Sequence, residues 1–373
     1  MGGTPPRIWI SAGEPSGDLH GAHVVEALRQ RFPGATIGGF GGPRMAAAGA
    51  ELSVRMEALS AFGFSEVVTK IPAHYRLLRQ LRREFASGKW DLVILIDYPG
   101  FHLRVAEAAR TAGIKVLYYI APQLWAWAPG RARRFAAAVD RMAVVLPFET
   151  EFFARAGIKA EYVGHPLVDR PPWPDRDAAR RELELPEPAR VLGIFPGSRD
   201  QEVERLWPLF RAVALQMLAE GRCTHAIVAG TGTGRYPEPG PIVIHRGDPV
   251  PVFVSADAAL AKSGTTTLEA ALAGVPMVVS YLTSIGTYII GRFLITTELI
   301  SLVNLVIGRM LVPEIWKRPV RPAELAAAIR PLLDPASPER LAQLAGLAEV
   351  VRRLGDPGAA GRVARIAAEL LGE

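Results

Sequence analysis

The sequence predicts an α/β protein built as two Rossmann-like domains whose parallel sheets face a central cleft. Short apolar, β-rich runs end repeatedly in glycine or polar residues and lead into helix-period segments, the pattern of strand–helix alternation around parallel sheets. That alternation breaks once, at the proline-dense stretch HPLVDRPPWPDRD, residues 165–177. A length of 373 residues exceeds what one hydrophobic core normally serves, so two cores are expected.

The first alternation places strands at RIWISA (residues 7–12), TIGGF from Thr36, DLVILI from Asp91, KVLYYI from Lys115, RMAVVL from Arg141 and EYVG from Glu161, forming a domain over residues 1–164. Four prolines in the thirteen residues 165–177 resist both helix and central strand, because proline fixes φ and lacks an N–H. Residues 165–188 are therefore expected to be a linker. Alternation resumes with RVLGIFPG from Arg190, HAIVAG from His225, PIVIH from Pro241, AALAK from Ala258 and VPMVVSY from Val275, a second domain over residues 189–340. Residues 341–373 are helical in composition, and no solenoid repeat or low-complexity tract interrupts the chain. Residues 270–291 are uncharged for long enough to cross a bilayer, but Gly274, Pro276 and Gly286 divide them into helix, turn, strand and turn. Residues 1–13 lack the charged and apolar parts of a signal peptide, so a cytoplasmic location is expected.

The charge is +6, from 43 Lys and Arg against 37 Asp and Glu, and the pI is about 9.6, which favours anionic partners. The single cysteine, Cys223, excludes a disulfide framework and a cysteine metal cluster. In open parallel sheets ligands sit beyond the carboxyl ends of strands, where helix amino termini offer N–H groups to anions. "KSGTTTLEAAL" has this layout: Ser263 and Gly264 let the backbone approach a ligand, Thr265, Thr266 and Thr267 open a helix, and Glu269 is placed to accept from ribose hydroxyls. "FPGSRDQEVER" repeats it, with Gly197, Ser198 and the forked guanidinium of Arg199 at another helix start. Ordinary capped helix starts are the alternative for both stretches.

Neither a G-x-x-x-x-G-K-[ST] loop nor a G-x-G-x-x-G after the first strand is present, which weakens ATPase and dehydrogenase readings. The D-x-D of Asp175 and Asp177 lies in the proline stretch, so no metal site and no cofactor are expected. In the first domain the strand DLVILI delivers Asp97 to the cleft, where a carboxylate can take a proton from an attacking hydroxyl or simply shape a turn. "SAGEPSGDLHGA" brings Glu14, Ser16, Gly17, Asp18 and His20 to a similar turn, as site residues or as helix caps.

Taken in order, "SAGEPSGD", "GGPRM", "FGFSEV", "DYPGFHLR", "APQLWAW", "LPFE", "VGHPL", "PGSRDQEVE", "SGTTTLEA", "PMVVSY" and "SLVNLVIGR" resemble the lipid-A-disaccharide synthase family over nearly the whole chain. The resemblance implies a GT-B-like fold and an inverting, metal-independent hexosyltransferase. Such an enzyme joins UDP-2,3-diacylglucosamine to 2,3-diacylglucosamine 1-phosphate (lipid X) through a β-1,6 linkage and releases UDP. It implies Asp97 as the essential carboxylate, Arg199 as the donor-binding arginine, Gly264, Thr265, Thr266, Thr267 and Glu269 as the nucleotide loop, and Asn304 on the donor side. Val303 stands where the family usually has proline, Lys317 where it commonly has glutamine, and residues 231–241 are short and rich in Gly and Pro.

Lipid substrates also give a reading for residues 62–85. Phe62, Phe64, Val67, Ile71 and Leu78 beside Arg76, Arg79, Arg82 and Arg83 make a basic amphipathic stretch suited to the inner face of the cytoplasmic membrane, while a core-facing helix with a solvated basic side is the alternative. Trp125 and Trp127 are candidates to line an acyl or sugar surface, or to pack. The partners expected are the two acylated sugars and an anionic membrane surface, not nucleic acid, with the oligomeric state left open between a homodimer and other forms. Rival readings are an isomerase of the UDP-N-acetylglucosamine 2-epimerase kind and a non-catalytic nucleotide- or lipid-binding relative.

Overall fold

The computed structural model describes residues 4–55, 64–282, 297–317 and 319–373. It divides into two compact units, Met1–Asp169 with Asp356–Glu373, and Arg170–Gly355.

The first unit is built on strands β1 (Arg7–Ala12), β2 (Thr36–Gly41), β3 (Glu51–Arg55), β4 (Leu92–Ile96), β5 (Lys115–Tyr119), β6 (Arg141–Val144) and β7 (Ala160–Tyr162), paired in the order β3-β2-β1-β4-β5-β6-β7. Every pair is parallel, with Ile10 opposite Gly39 on one side and Ile94 on the other. Parallel strands are covered on both faces, which is why β4 is a continuous apolar run with all five residues buried. Trp9, Val93, Leu95, Val116 and Tyr118 share one face with Phe85, Val105 and Phe135 of the helices Phe64–Ala86, Pro99–Thr111 and Ala132–Ala138. Gly39 is needed where β2 bulges, since a Cβ there would lie 1.8 Å from the Ile10 carbonyl oxygen.

The second unit holds β8 (Val191–Phe195), β9 (His225–Gly230), β10 (Val243–Arg246), β11 (Ala258–Lys262), β12 (Met277–Ser280) and β13 (Glu314–Ile315) in the parallel order β10-β9-β8-β11-β12-β13. Leu192, Ile194, Val228, Leu260 and Val278 pack against Val203, Trp207 and Phe210 of the helix Asp200–Ala219. The predicted strands are all present; β3 and the two-residue β13 are additional.

Two expected boundaries move. Within the proline stretch, Asp175 caps the helix Arg176–Glu182 by accepting from the Asp177 and Ala178 N–H groups at 3.1 and 3.2 Å, so this D-x-D is a helix start. Arg176 and Arg180 then pair with Asp257 at 2.7 and 3.1 Å, which assigns that helix to the second unit. At the other end, the segment expected to be one helical block divides at LGDPG, where Gly355 and Gly358 adopt left-handed φ of 77° and 105°. The helix Pro338–Arg353 stays with the second unit, whereas Ala359–Leu371 returns to the first. There Arg141 bonds Glu161 and Glu369 at 2.7 and 3.0 Å, and Asp169 accepts from the Gly358 and Ala359 N–H groups at 2.6 and 3.2 Å.

Among the described residues no helix is long and apolar enough to cross a membrane. The basic amphipathic segment forms the helix Phe64–Ala86, which runs through Pro72. Phe62 lies outside the described residues, as do the side chains of Phe64, Val67 and Ile71. Leu78 corrects the membrane-facing expectation: it is 4% exposed and packs in the core with Leu77, Leu81 and Phe85. The helix needs this stripe to cover β1 and β4, and Phe85 meets the Trp9 indole edge-on at 5.6 Å. Arg76, Arg79, Arg82 and Arg83 occupy the exposed side. Leu78→Ala is accordingly expected to lower the unfolding free energy by about 2–5 kcal/mol, and Tyr75→Ala, at an exposed position, by no more than about 0.5 kcal/mol; urea denaturation of the two variants measures the contrast.

Candidate active site

In each sheet the strand order reverses once, between β1 and β4 and between β8 and β11. Connections leave such a point in opposite directions, so the loops at the carboxyl ends of the two central strands part and leave a crevice.

In the first unit the parting loops are Gly13–Glu14 after β1 and Asp97–Tyr98 after β4. Asp97 and Tyr98 both adopt left-handed backbone, at φ of 50° and 54°, a conformation that disfavours L side chains and turns the chain sharply off the strand. Pro99 then opens the helix Pro99–Thr111 with its φ already suited to a first turn. The Tyr98 ring lies over Gly13, where a Cβ would fall 2.4 Å from the ring, and its hydroxyl meets His74 Nε2 at 2.7 Å. Burial, and next the negative charge of Glu14, raise the Asp97 carboxyl to about 6, against the pull of the Tyr98 N–H. The result is a carboxylate ionised near neutral pH and more basic than an ordinary aspartate.

Glu14 and Ser16 are exposed at this edge, and Gly17 is buried, where a Cβ would crowd the Ala12 Cβ at 3.3 Å. Asp18 is a cap, but of a different helix: its buried carboxylate accepts from the N–H groups of Gly42, Arg44 and Met45 at 2.8, 3.0 and 3.1 Å and holds the GGPRM turn. Trp125 donates its indole N–H to Glu149 at 3.1 Å and meets Phe148 edge-on, which is a packing role. Glu149 is itself buried, which pushes its carboxyl up to about 7. Trp127 closes the short helix Leu124–Trp127, and its side chain lies outside the described residues.

In the second unit the corresponding loops are Gly197–Arg199 after β8 and Ser263–Gly264 after β11. One carboxylate ties them together. Glu202 accepts from the Ser198 and Arg199 N–H groups at 3.1 and 3.3 Å and pairs with Lys262, at the end of β11, at 2.8 Å. Gly197, at φ of 125°, has no room for a side chain because its Cβ would sit 2.4 Å from that carboxylate. Ser198 and Arg199 are exposed, as is Thr265, while Thr266 is half-buried. Gly264, at φ of 140°, starts the helix Thr265–Leu272, so amides, hydroxyls and a guanidinium all line the carboxyl edge.

Three of the residues expected on the donor side have side chains engaged within the protein. Ser263 donates its hydroxyl to the Ile300 carbonyl at 2.6 Å, and the buried Thr267 donates to the Gly264 carbonyl at 2.8 Å. Asn304 is fully buried: its Oδ1 accepts from the Leu311 and Val312 N–H groups, and its Nδ2 donates to the Val312 carbonyl and to Glu314. Glu314 also accepts from the Ile300 and Ser301 N–H groups at 2.8 Å each, so Asn304 and Glu314 together brace the chain at Ile300 and Ser301. Val303, the departure from proline, lies in the first turn of the helix Leu302–Ile307, where a missing or present N–H matters little. Glu269 is ion-paired with Arg170 at 2.6 Å, a partner that the linker assignment concealed. Glu202, Lys262 and Arg170 were not singled out from sequence. For Glu202 the signal is the spacing of a glutamate three residues after the helix N-cap.

Residues 8–345 match the family model described as Lipid-A-disaccharide synthetase. The lipid-A-disaccharide synthase of Myxococcus xanthus (strain DK1622) is 41% identical over 344 residues, which cover 90% of each chain. Among solved structures, CalG4, the calicheamicin glycosyltransferase, superposes with a TM-score of 0.58 at 19% identity over 99% of each chain. UDP-GlcNAc 2-epimerase from Neisseria meningitidis, bound to UDP-GlcNAc, gives the same TM-score of 0.58 at 11% identity, covering 98% of each chain. Equal likeness to a transferase and an epimerase shows the GT-B-like fold and does not choose a chemistry. The sequence match does, and the chain belongs to the lipid-A-disaccharide synthase family.

Proposed function

We propose that this glycosyltransferase joins UDP-2,3-diacylglucosamine to lipid X by an inverting displacement in which Asp97 is the general base. The carboxylate takes the proton of the acceptor's 6-hydroxyl as that oxygen attacks the donor's anomeric carbon. The bond from that carbon to the diphosphate breaks with its electron pair, UDP departs, and attack from the opposite face leaves a β-1,6 linkage. The observation that carries this reading is a carboxylate turned off the end of β4 at the reversal point, in surroundings that raise it to about 6. A base of that strength is ionised at neutral pH and still accepts a proton readily.

For the leaving group, Ser198, Arg199, Gly264, Thr265 and Thr266 supply amide, hydroxyl and guanidinium donors to the diphosphate. Glu269, oriented by Arg170, is assigned to the ribose hydroxyls. Charge is neutralised by these groups and not by a divalent ion. At the membrane, Arg76, Arg79, Arg82 and Arg83 present one exposed basic face to anionic headgroups, with the Arg79 guanidinium 5.7 Å from the Tyr75 ring centroid. The protein on this reading is cytoplasmic and peripheral to the inner face of the membrane.

Incubation with both acylated sugars, scored by mass spectrometry for disaccharide and UDP, tests the reaction itself. Asp97→Asn is expected to lower kcat by about 100-fold or more with UDP binding retained, and near-normal turnover would remove Asp97 from the mechanism. In the unmutated enzyme kcat/KM falls as pH drops through about 6, because protonation removes the base. Glu14→Gln moves that acid limb to lower pH, since it deletes a charge that raises Asp97. Activity is expected to survive EDTA; loss restored by magnesium or manganese would contradict the metal-free account. Replacing the four arginines with glutamine is expected to release the protein from anionic vesicles in sedimentation, and unchanged binding would place the membrane face elsewhere.

A further inference from the structure

We infer that Tyr118 and His102 are positioning residues for Asp97, gripping its backbone carbonyl so that the carboxyl group is aimed off the end of β4; the inference rests on the assignment of Asp97 as the base. The Asp97 carbonyl oxygen accepts from the Tyr118 hydroxyl at 2.6 Å and from His102 Nδ1 at 2.6 Å. Its N–H donates to the Tyr119 carbonyl at 3.0 Å. The two side chains come from different elements, Tyr118 from β5 and His102 from the first turns of the helix Pro99–Thr111, and neither is exposed.

The protonation pattern follows from the acceptor. A carbonyl oxygen only accepts, so the proton must be on His102 Nδ1. Burial holds the imidazole neutral, its pKa lowered to about 4, which leaves Nε2 as an acceptor. Ser11, fully buried on β1, lies 2.8 Å from that nitrogen and donates its hydroxyl to it. Ser11, His102 and Tyr118 thus join β1, the helix and β5 to one backbone oxygen. That oxygen belongs to the first of two consecutive non-glycine residues in left-handed backbone. Such a conformation persists only where its surroundings over-determine it, and two donors on both lone pairs of the carbonyl do this. None of the three reaches the cleft edge as a reactant would. Their effect on the reaction runs through the direction of the Asp97 carboxyl, where a small misplacement is costly.

The test uses the full chain and kinetics with both acylated sugars. Tyr118→Phe removes one donor and keeps the ring, and His102→Asn keeps an N–H near the position of Nδ1 while His102→Leu removes it. Tyr118→Phe and His102→Leu are expected to lower kcat by about 10-fold or more, with KM for each sugar within about twofold. His102→Asn is expected to recover much of the loss that His102→Leu produces. Urea unfolding of the full chain, followed by the fluorescence of Trp9 and Trp90 in the first-unit core, counts the molecules in which that unit is folded, so misfolding is not scored as lost turnover. Wild-type kcat in Tyr118→Phe and His102→Leu, with Asp97→Asn inactive, overturns the positioning role alone. A rise in KM without a fall in kcat, or no recovery in His102→Asn, also overturns it. Turnover in Asp97→Asn overturns the base assignment, and this inference with it.

Discussion

The reversal of strand order in a parallel sheet is the constraint on which the site residues depend. A sheet whose connections all ran one way would cover its carboxyl edge evenly with loops; at β1/β4 and at β8/β11 the loops leave in opposite directions and the edge opens. Glu14, Asp97 and Tyr98 stand at the first opening, and Ser198, Arg199 and Gly264 at the second. The buried apolar strands behind them, β4 and β8 in particular, hold these loops in register without contributing to the chemistry.

Loops at such an edge have no ladder to satisfy their backbone groups, and this chain meets the need with carboxylates. Asp18, Glu202 and Glu314 each accept from two or more backbone N–H groups, and Asp175 does the same at a helix start. Glu202 goes further, because Lys262 ties it to the neighbouring loop at 2.8 Å. Motif residues therefore divide by burial. Asn304, Thr267 and Ser263 brace the loops of the second unit through internal bonds, and the exposed Ser198, Arg199 and Thr265 are the ones presented to solvent.

Asp97 illustrates how backbone and side-chain chemistry are coupled. A left-handed pair of residues turns the chain within one step of a buried strand, which keeps the carboxyl near apolar surroundings and near Glu14. Both effects disfavour the charged form, so the geometry that aims the group also raises its basicity.

The alternation of apolar runs and helix-period segments determined the two parallel sheets, the strand positions and the loops at their carboxyl ends, because burial on both faces writes parallel strands into the sequence as uninterrupted apolar runs. The positions of Asp97, Arg199 and the Gly264 loop just beyond strand ends were legible for the same reason. Only the tertiary structure decided which motif residues face outward. Leu78 shares a helix with four arginines, yet faces the core because β1 needs cover. Asn304 is turned inward by partners seven to ten positions further along the chain, and Arg170 meets Glu269 across 99 positions. The return of Ala359–Leu371 to the first unit was likewise beyond local reading, because the acids and bases that receive it, Arg141, Glu161 and Asp169, lie about two hundred residues earlier. Local propensity sets the elements, and long-range packing selects which face of each one is buried.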